Sequence, residues 1–375
     1  MNKNTKISFV STSYPASPKD WRGIFISQMV SQVTSLPDTH LSVWTPPGEL
    51  PDNVDYLCSR EEMLWLEELM NNGGIAHIIR DNIFKGAFTA IKLLSYLNKF
   101  FKRSHLNTDV YHVNWLQNII PMSKYNTPLL VTVLGTDLSL LKIPGMTYLL
   151  RRVIKNRPCI IAPNADWMVP VLEKNFQDIA QIRSIIFGIS TQWYNIVRNW
   201  ENSKRKWIVV LRVTPSKIGK LFDWGKEIFN QSDDELHLFG PMQEQVQIPN
   251  WVHYHGPSHP KELQEKWFPQ AAGLISMSLH NEGRPQVMLE AMASGLPILA
   301  SNIPAHSNLL EQDVTGLLCE SEERFNQSIK LLSDAEENRR VGNAAKNWVR
   351  QYAGTWKDCA NRYHDAYCDL LSQKS

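Results

Sequence analysis

Short apolar runs alternate along the chain with longer stretches that mix apolar and polar residues. Six apolar runs in the first half have the length and β-branched content of strands: Lys6–Thr12, His40–Thr45, Asp109–Asn114, Pro128–Leu134, Cys159–Pro163 and Ser184–Ile189. Most of the intervening segments are long enough for a helix, as is Ile24–Leu36. Strands that alternate with helices predict a parallel sheet covered on both faces.

The same pattern starts again in the second half. Its predicted strands are Trp207–Val213, Leu236–Phe239, Val252–His255, Gly273–Ser278, Pro297–Ser301 and Gly316–Cys319. The last segments, Glu322–Tyr352 and Thr355–Leu371, have the periodicity of helices. We therefore predict an α/β fold of two tandem Rossmann-like, doubly wound domains. Because open parallel sheets bind ligands at the carboxyl ends of their strands, we expect the two domains to face a central cleft.

A polar and charged segment, Tyr194–Trp207, interrupts the two series and lacks an apolar period of either kind. We predict the domain linker there. The predicted N-terminal domain then covers residues 1–200, and the predicted C-terminal domain covers residues 201–354. The remaining segment, 355–375, is predicted to be a closing helix.

Composition narrows the class of protein. The chain has 375 residues, of which 43% are hydrophobic and 20% charged, and its 39 basic and 37 acidic residues nearly cancel. Such a balance gives no reason to expect nucleic-acid binding. The five cysteines are scattered without CxxC spacing, which argues against a disulfide framework or a zinc site. With a polar start and no run of ~18 apolar residues, we expect a cytoplasmic protein.

One region departs from this neutrality. No acidic residue occurs between Asn82 and Thr108, whereas Lys85, Lys92 and Lys99 recur every seven residues among apolar positions. Residues 84–103 therefore predict a basic amphipathic helix, which fits a peripheral protein on an anionic membrane surface. An ordinary surface helix with a solvated basic face explains the same pattern.

The stretch Ser278–Pro297 has the clearest local design. An apolar strand precedes a polar turn that contains Gly283, Pro285 suits the first turn of a helix, and Gly295 ends a helix-forming run. Glu282 precedes this helix and Glu290 lies within it. The start of a helix offers free N–H groups and a positive dipole end, which suit a phosphate.

This stretch resembles the retaining GT-B glycosyltransferases, and most closely glycosyltransferase family 4. That family has a Glu-x7-Glu element followed by Ala-Met-Ala-x-Gly-x-Pro, and the matching residues here are Glu282, Glu290, Ala291, Met292, Ala293, Gly295 and Pro297. Leu211–Lys217 is similar to the family's Gly-Arg-x4-Lys-Gly segment, which places Arg212 and Lys217 at the positions that hold the donor's phosphates. Leu211 and Ile218 depart from it, because glycine is usual there.

The resemblance implies roles for these residues. Glu290 would accept hydrogen bonds from the ribose hydroxyls of the donor nucleotide, and Glu282 would stabilise positive charge on the transferred sugar. Helix capping by the two glutamates is the alternative. The predicted donor-binding residues are Arg212, Lys217, Gly283, Arg284, Pro285, Glu290 and Gly23.

The first domain matches the family less well. Arg22–Phe25 is similar to a family glycine loop, but His112-Val113-Asn114 lacks the second histidine of His-x-His, and Leu134–Asp137 lacks the histidine of His-Gly-Ser/Thr-Asp. Asp20 and Asp137 are the predicted catalytic carboxylates of this domain besides Glu282, with turn formation and helix capping as the alternative. Trp21 and Asn114 are the acceptor-site candidates. The family's closing helix packs back on the first domain, which we expect of residues 355–375.

The implied activity is transfer of a hexose, with retention of configuration, from a nucleotide diphosphate sugar to a glycan or lipid-linked glycan, as in the assembly of cell-surface polysaccharides. No cofactor and no metal are expected, because Arg212, Lys217 and the helix start supply positive charge. A catalytically inactive nucleotide-sugar-binding partner is one alternative, suggested by the missing histidines. A nucleotide-sugar epimerase or a phosphorylase on the GT-B fold is another, although an epimerase would lack the Glu-x7-Glu-Ala-Met-Ala string.

Overall fold

The computed structural model describes residues 4–17, 20–75, 77–78, 82–200, 204–280 and 282–373. The chain forms two compact units, Met1–Phe187 with Trp356–Ser375 and Gly188–Thr355. The second unit thus begins earlier than the linker predicted from Tyr194–Trp207. That polar segment packs onto the second unit, because Trp200 is buried in its core and Arg198 donates hydrogen bonds to the carbonyl oxygens of Gly295 and Ala271.

A parallel seven-stranded sheet forms the centre of the first unit, in the order β3-β2-β1-β4-β5-β6-β7. Its strands are β1 (Thr5–Val10), β2 (Thr39–Trp44), β3 (Asp55–Tyr56), β4 (Val110–Asn114), β5 (Leu129–Val133), β6 (Cys159–Pro163) and β7 (Gln181–Ile182). The strand predicted at Ser184–Ile189 is wrong, since the last strand ends at Ile182. Ile185 and Phe187 are apolar because they are buried in the core.

Helices cover both faces of this sheet. The longer helices of the first unit are Ile24–Val33, Arg60–Asn71, Ile83–Ser104, Met146–Ile154, Val169–Phe176 and Trp356–Ser372. The last of them packs beside Ile24–Val33, with Tyr363 and Tyr367 buried against the sheet. The Tyr367 hydroxyl lies 2.6 Å from Nδ1 of His112, whose Nε2 lies 2.8 Å from Thr132 Oγ1. Burial lowers the pKa of His112 to about 3, so this ring is neutral.

The second unit contains a parallel six-stranded sheet in the order β10-β9-β8-β11-β12-β13. The strands are β8 (Lys206–Val210), β9 (Glu235–Phe239), β10 (Val252–Gly256), β11 (Ala271–Ser276), β12 (Ile298–Ser301) and β13 (Leu317–Cys319). Its α-helices are Thr191–Tyr194, Pro215–Ile218, Leu221–Gln231, Pro260–Glu262, Gln286–Ala293, Pro304–Ser307, Glu322–Leu331 and Ala335–Tyr352. The last two replace the single predicted region Glu322–Tyr352, because the Asp334 side chain caps the second of them.

The predicted fold class is confirmed: both units are doubly wound α/β domains. In each sheet the strand order reverses at one point, between β1 and β4 in the first unit and between β8 and β11 in the second. Such reversals open a crevice at the carboxyl ends of the strands, where ligands bind. Within the described ranges, no helix combines the length and the apolar character needed to cross a membrane.

Candidate functional site

The loops that follow β8 and β11 lie in contact at the reversal point of the second sheet. The Leu279 N–H donates to the carbonyl oxygen of Ser216 across 2.8 Å. Gly219 has a φ of +55°, and a Cβ built on it would lie only 1.9 Å from the Met277 carbonyl oxygen. A side chain at this position would push the two loops apart, so glycine is required for their close approach.

Lys217 and Glu282 meet in this crevice. Lys217 lies on the short helix Pro215–Ile218, where Thr214 Oγ1 accepts a hydrogen bond from its N–H. Its Nζ donates to Glu282 Oε2 across 3.1 Å, and the two side chains are 12% and 23% exposed. The structure therefore brings together two residues that are 65 positions apart and that were each predicted to lie at the site. An ammonium has three N–H donors, so this contact leaves donors for an anion.

Glu290 lies inside the helix Gln286–Ala293. Among the residues that the structure describes, none donates a hydrogen bond to its carboxylate. Burial raises the pKa of Glu290 to about 8, so the free protein holds this group largely as the neutral acid at pH 7. The side chain is half-buried, and a carboxylate that has lost much of its water without gaining a partner is costly. A ligand that donates hydroxyl hydrogens would meet this need.

The residues between the two glutamates mainly shape the start of the helix. Pro285 occupies the position before the first helical residue, with φ −68°, and Gln286 Nε2 donates to the Gly188 carbonyl oxygen. Gly283 is buried beside Glu282. Arg284 is also buried: its guanidinium donates to Asn308 Oδ1 across 2.9 Å and lies 5.2 Å from the centre of the Tyr352 ring. These contacts anchor the loop.

Arg212 lies in the loop directly after β8 and is half-buried. It is therefore on the same edge of the sheet as Lys217, as predicted. Its part in binding a phosphate stays a prediction.

A buried polar group under the loop that follows β11 was missed by the sequence reading. Ser301 Oγ donates to the Ser278 carbonyl oxygen, and His306 Nδ1 lies 2.9 Å from the Ser301 carbonyl oxygen. Burial lowers the pKa of His306 despite the nearby Glu282 charge, so the ring is neutral and Nδ1–H donates. The only sequence signal was a histidine shortly after the end of a predicted strand, which is too weak to identify a role.

Asp137 in the first unit is fully used by the backbone. Its Oδ1 accepts from the N–H groups of Leu134 and Gly135, and its Oδ2 accepts from the Leu116 N–H. Burial raises the pKa of Asp137 to about 6, although these hydrogen bonds act in the opposite direction. This geometry favours the capping role, in which the carboxylate ties together the loops that follow β4 and β5.

The glycine loop of the first unit is held by an ion pair between Asp20 and Arg22. Both Asp20 oxygens accept from the Arg22 side chain across 2.9 Å. Burial pushes the pKa of Asp20 upward, but the hydrogen bonds from Arg22 outweigh it and the pKa is lowered. Gly23 has φ +73°, and an added Cβ would lie 2.6 Å from Ser13 Oγ. Trp21, beside this pair, is 42% exposed and so accessible to a ligand.

Asn114 is buried at the carboxyl end of β4. Its Nδ2 donates to the Val10 carbonyl oxygen across 3.1 Å, which links β4 to β1. Its Oδ1 meets no hydrogen-bond donor in the described part of the chain. The side chain therefore supports the first sheet from within, and its predicted role at an acceptor site is untested.

Across the ranges that the structure describes, His, Cys, Asp and Glu do not form a group of three or more that could hold a metal ion. The positive charge at the candidate site comes from Lys217, with Arg212 on the same edge.

Known structures share this architecture over nearly the whole chain. Sucrose-phosphate synthase from Thermosynechococcus elongatus covers 98% of this chain and is itself covered completely, with a TM-score of 0.73 at 16% identity. HepE from Anabaena in complex with UDP and glucose covers 96%, and 99% of it is covered, with a TM-score of 0.65 at 13% identity. At such identities the likeness concerns the fold, and it defines the class: two Rossmann-like units of the GT-B type.

Sequence comparison then identifies the second unit. Residues 239–348 match the family model described as "Glycosyl transferases group 1". A D-inositol 3-phosphate glycosyltransferase from Corynebacterium aurimucosum is 27% identical over 146 residues, which are 38% of this chain and 33% of that protein. A glycosyltransferase 1 domain-containing protein 1 from Xenopus tropicalis is 38% identical over 77 residues, which are 20% of this chain and 22% of that protein.

The resemblance to the GT-B glycosyltransferases is thereby confirmed, and within the second unit residues 239–348 match the group 1 glycosyltransferase model. The matched segments span a third or less of the two curated relatives' own lengths. Assignment to family 4, and the roles of individual residues, stay predictions.

Proposed function

We propose that this protein is a glycosyltransferase that uses a nucleotide diphosphate sugar as donor and binds it at the second unit. The observation that carries the proposal is the pairing of Lys217 with Glu282 beside a helix that holds the unpartnered Glu290. A cation beside the start of a helix suits a diphosphate, and a buried hydrogen-bond acceptor suits ribose hydroxyls. HepE, a structural neighbour, was crystallised with UDP and with UDP-glucose, which supports a nucleotide-sugar donor.

The proposed chemistry is transfer with retention of configuration. The bond between the anomeric carbon and the phosphate oxygen breaks, the acceptor oxygen bonds to the same face of that carbon, and the departing phosphate takes the acceptor's proton. Lys217 and Arg212 stabilise the charge on the leaving diphosphate, and Glu282 stabilises the positive charge on the sugar. In this scheme no metal ion is needed, so activity is expected to survive EDTA. Loss of activity that magnesium restores would overturn that part.

The proposed acceptor is a glycan or a lipid-linked glycan, with the reaction at the cytoplasmic face of an anionic membrane that residues 84–103 contact. A lipopolysaccharide outer core galactosyltransferase, WaaB, is among the structural neighbours, with 11% identity and a TM-score of 0.65. An enzyme of the lipopolysaccharide outer core suits the proposed class of acceptor and a role in cell-surface polysaccharide assembly. Asp20 binds the Arg22 side chain, and Asp137 accepts hydrogen bonds from backbone N–H groups. We therefore propose that they hold the loops at which an acceptor binds, with Trp21 as the exposed contact.

Calorimetric titration with uridine and guanosine diphosphates and their sugar conjugates tests the donor proposal. We expect one nucleotide class to bind, and Glu290→Gln to weaken binding by about 10- to 100-fold, since a charged acceptor of hydrogen bonds contributes roughly 1.5–3 kcal/mol. Glu323→Gln, a change on the surface helix Glu322–Leu331, is the matched control. Unchanged affinity in Glu290→Gln would remove this residue from the donor site.

Turnover separates the enzyme from its closest alternative. A catalytically inactive partner would bind the nucleotide sugar and release no nucleotide with any acceptor. An epimerase would change the donor sugar without an acceptor. Release of nucleotide that depends on an added glycan acceptor, and that Glu282→Gln abolishes, is the result expected here.

A further inference from the structure

The first half of the helix Ile83–Ser104 leaves an apolar surface exposed. Ile83, Phe84, Phe88 and Ile91 are exposed by 68%, 84%, 69% and 66%. Phe84, Phe88 and Ile91 lie four and three residues apart and so share one face. We call these three side chains the apolar stripe. The opposite face is covered, since Leu93, Leu97 and Phe100 are buried in the core of the unit.

The lysines of this helix are arranged beside the stripe. Lys92 Nζ lies 5.8 Å from the ring centres of both Trp65 and Tyr96, and Lys99 Nζ lies 5.4 Å from the ring centre of Tyr96. Lys85 is exposed next to Phe84. Within the described ranges, none of these three lysines forms an ion pair with a carboxylate. Basic groups thus flank the apolar residues on one side.

Two acidic groups contact this helix from outside it. Glu61 accepts a hydrogen bond from the Tyr96 hydroxyl across 2.8 Å, and Glu62 pairs with Arg103 near the end of the helix. The helix itself carries no acidic residue, since none occurs between Asn82 and Thr108. Among the described residues of the helix, the exposed apolar side chains are therefore accompanied by lysines and by no carboxylate.

We propose that the apolar stripe inserts into the headgroup region of a membrane that carries anionic lipids. Large apolar side chains bordered by unpaired lysines match the two layers of such a surface, because the acyl boundary takes the rings while the phosphates take the ammonium groups. A second protein surface would have to supply both an apolar face and its own negative charge. Insertion of Phe84, Phe88 and Ile91 attaches the protein to the membrane, and the lysines select anionic lipids.

This inference deepens the membrane part of the proposed function and rests on it for its biological meaning. Its test does not need the reaction. Vesicle sedimentation is measured without donor or acceptor, and nucleotide binding is measured without vesicles. Either property can therefore fail while the other survives.

The experiment compares full-length variants on vesicles of phosphatidylcholine alone and of phosphatidylcholine with phosphatidylglycerol. We expect the wild type to bind the anionic vesicles more strongly. The triple variant Phe84→Ser, Phe88→Ser, Ile91→Ser, called the stripe variant, should bind the anionic vesicles at least about 30-fold more weakly, because three large apolar side chains no longer leave water. The double variant Lys85→Ser, Lys92→Ser should instead bind the two vesicle types with equal strength.

A matched control carries serine at three exposed apolar positions elsewhere in the first unit, namely Leu106, Tyr148 and Val171. It should bind vesicles as the wild type does. The stripe variant and the control should keep the wild-type melting temperature, since their changed side chains are solvent-exposed.

Three outcomes would overturn the inference. The stripe variant could bind vesicles as well as the wild type, or the wild type could bind neither vesicle. The wild type could also form a dimer in sedimentation equilibrium that the stripe variant separates into monomers, which would mean that a second copy covers the stripe.

Discussion

If Glu290 holds the donor as proposed, we expect donor binding to depend on a proton. With a pKa of about 8, roughly nine in ten free molecules carry the protonated acid at pH 7. Ribose hydroxyls donate better to the ionised form, so a bound donor would hold the group as a carboxylate. Binding at pH 7 should then release close to one proton, about 0.9 by the same ratio.

The affinity should follow the ionised fraction of Glu290. That fraction rises from about 0.01 at pH 6 to about 0.5 at pH 8, which predicts a gain in affinity of about 50-fold, or about 2.3 kcal/mol. Binding should become tighter as the pH rises and should reach a plateau above pH 8. A donor that bound the neutral acid would show the reverse trend.

Calorimetry in buffers of different ionisation enthalpy measures the released proton directly. UDP-glucose is a suitable first probe, because its diphosphate does not titrate in this range as the terminal phosphate of free UDP does. Glu290→Gln should abolish proton release, and Glu323→Gln should preserve it. Binding that releases no proton and keeps the same affinity from pH 6 to pH 8 would refute the reasoning.

The same shift predicts how stability depends on pH, independently of any donor. The pKa of Glu290 in the folded protein, about 8, lies above its ordinary value of 4.5. The contribution of Glu290 to the free energy of unfolding is therefore fully present below pH 4.5 and is lost as the pH rises towards 8. The full shift corresponds to about 5 kcal/mol, which the partial exposure of the side chain reduces to about 2–4 kcal/mol. In denaturant titrations, Glu290→Gln should lack this loss between pH 5 and pH 9, and a parallel loss in both proteins would contradict the assignment.

Three further predictions concern the framework of the two units and are read from denaturant unfolding. Gly219→Ala should lower the free energy of unfolding by at least about 3 kcal/mol, since the new Cβ meets a carbonyl oxygen. Gly256→Ala, with a similar φ but open space around it, should lower it by about 1 kcal/mol. Equal losses would refute the close approach of the two loops at Gly219. Asp137→Asn should cost roughly 1–3 kcal/mol, because an amide nitrogen cannot accept from a backbone N–H, and a smaller loss would deny the carboxylate its capping role. Tyr367→Phe should cost about 1–3 kcal/mol by leaving the buried histidine of the first sheet without its partner, and Tyr363→Phe, whose hydroxyl contact is longer at 3.4 Å, should cost less; the opposite order would contradict this network.

Local patterns in the sequence were sufficient to predict the elements around Glu282 and Glu290. The strand, the loop with Glu282 and the helix that begins after Pro285 and ends before Gly295 depend on neighbours within a few residues. The period of apolar positions likewise predicted most strands of both sheets, because a strand buried on both faces is apolar throughout. The contact between Lys217 and Glu282 was not predicted, because it depends on β8 and β11 being neighbours in the sheet.

Contacts distant in sequence decided what could not be predicted. Arg284 was predicted to bind the donor, and the sequence did not show that its guanidinium lies against Tyr352, 68 residues away. Arg198 looked like part of a linker, and it binds carbonyl oxygens 73 and 97 residues away. Asp137 follows β5 as expected, in the first turn of the 3-10 helix Thr136–Lys142, but the three backbone N–H groups that donate to it are visible only in three dimensions. The role of a charged side chain in a loop cannot be predicted from sequence alone, because its partner is often far away in the chain.

The return of the last helix to the first unit has a consequence for the order of folding during synthesis. Gly188–Thr355 is continuous, so every residue of the second unit precedes Trp356–Ser372 in the chain. The first unit, although it starts earlier, waits for the tyrosines that cover His112. A released chain that ends before Trp356 would therefore hold one domain with all its residues and one with an open apolar face. That intermediate is the form on which chaperones and proteases would act.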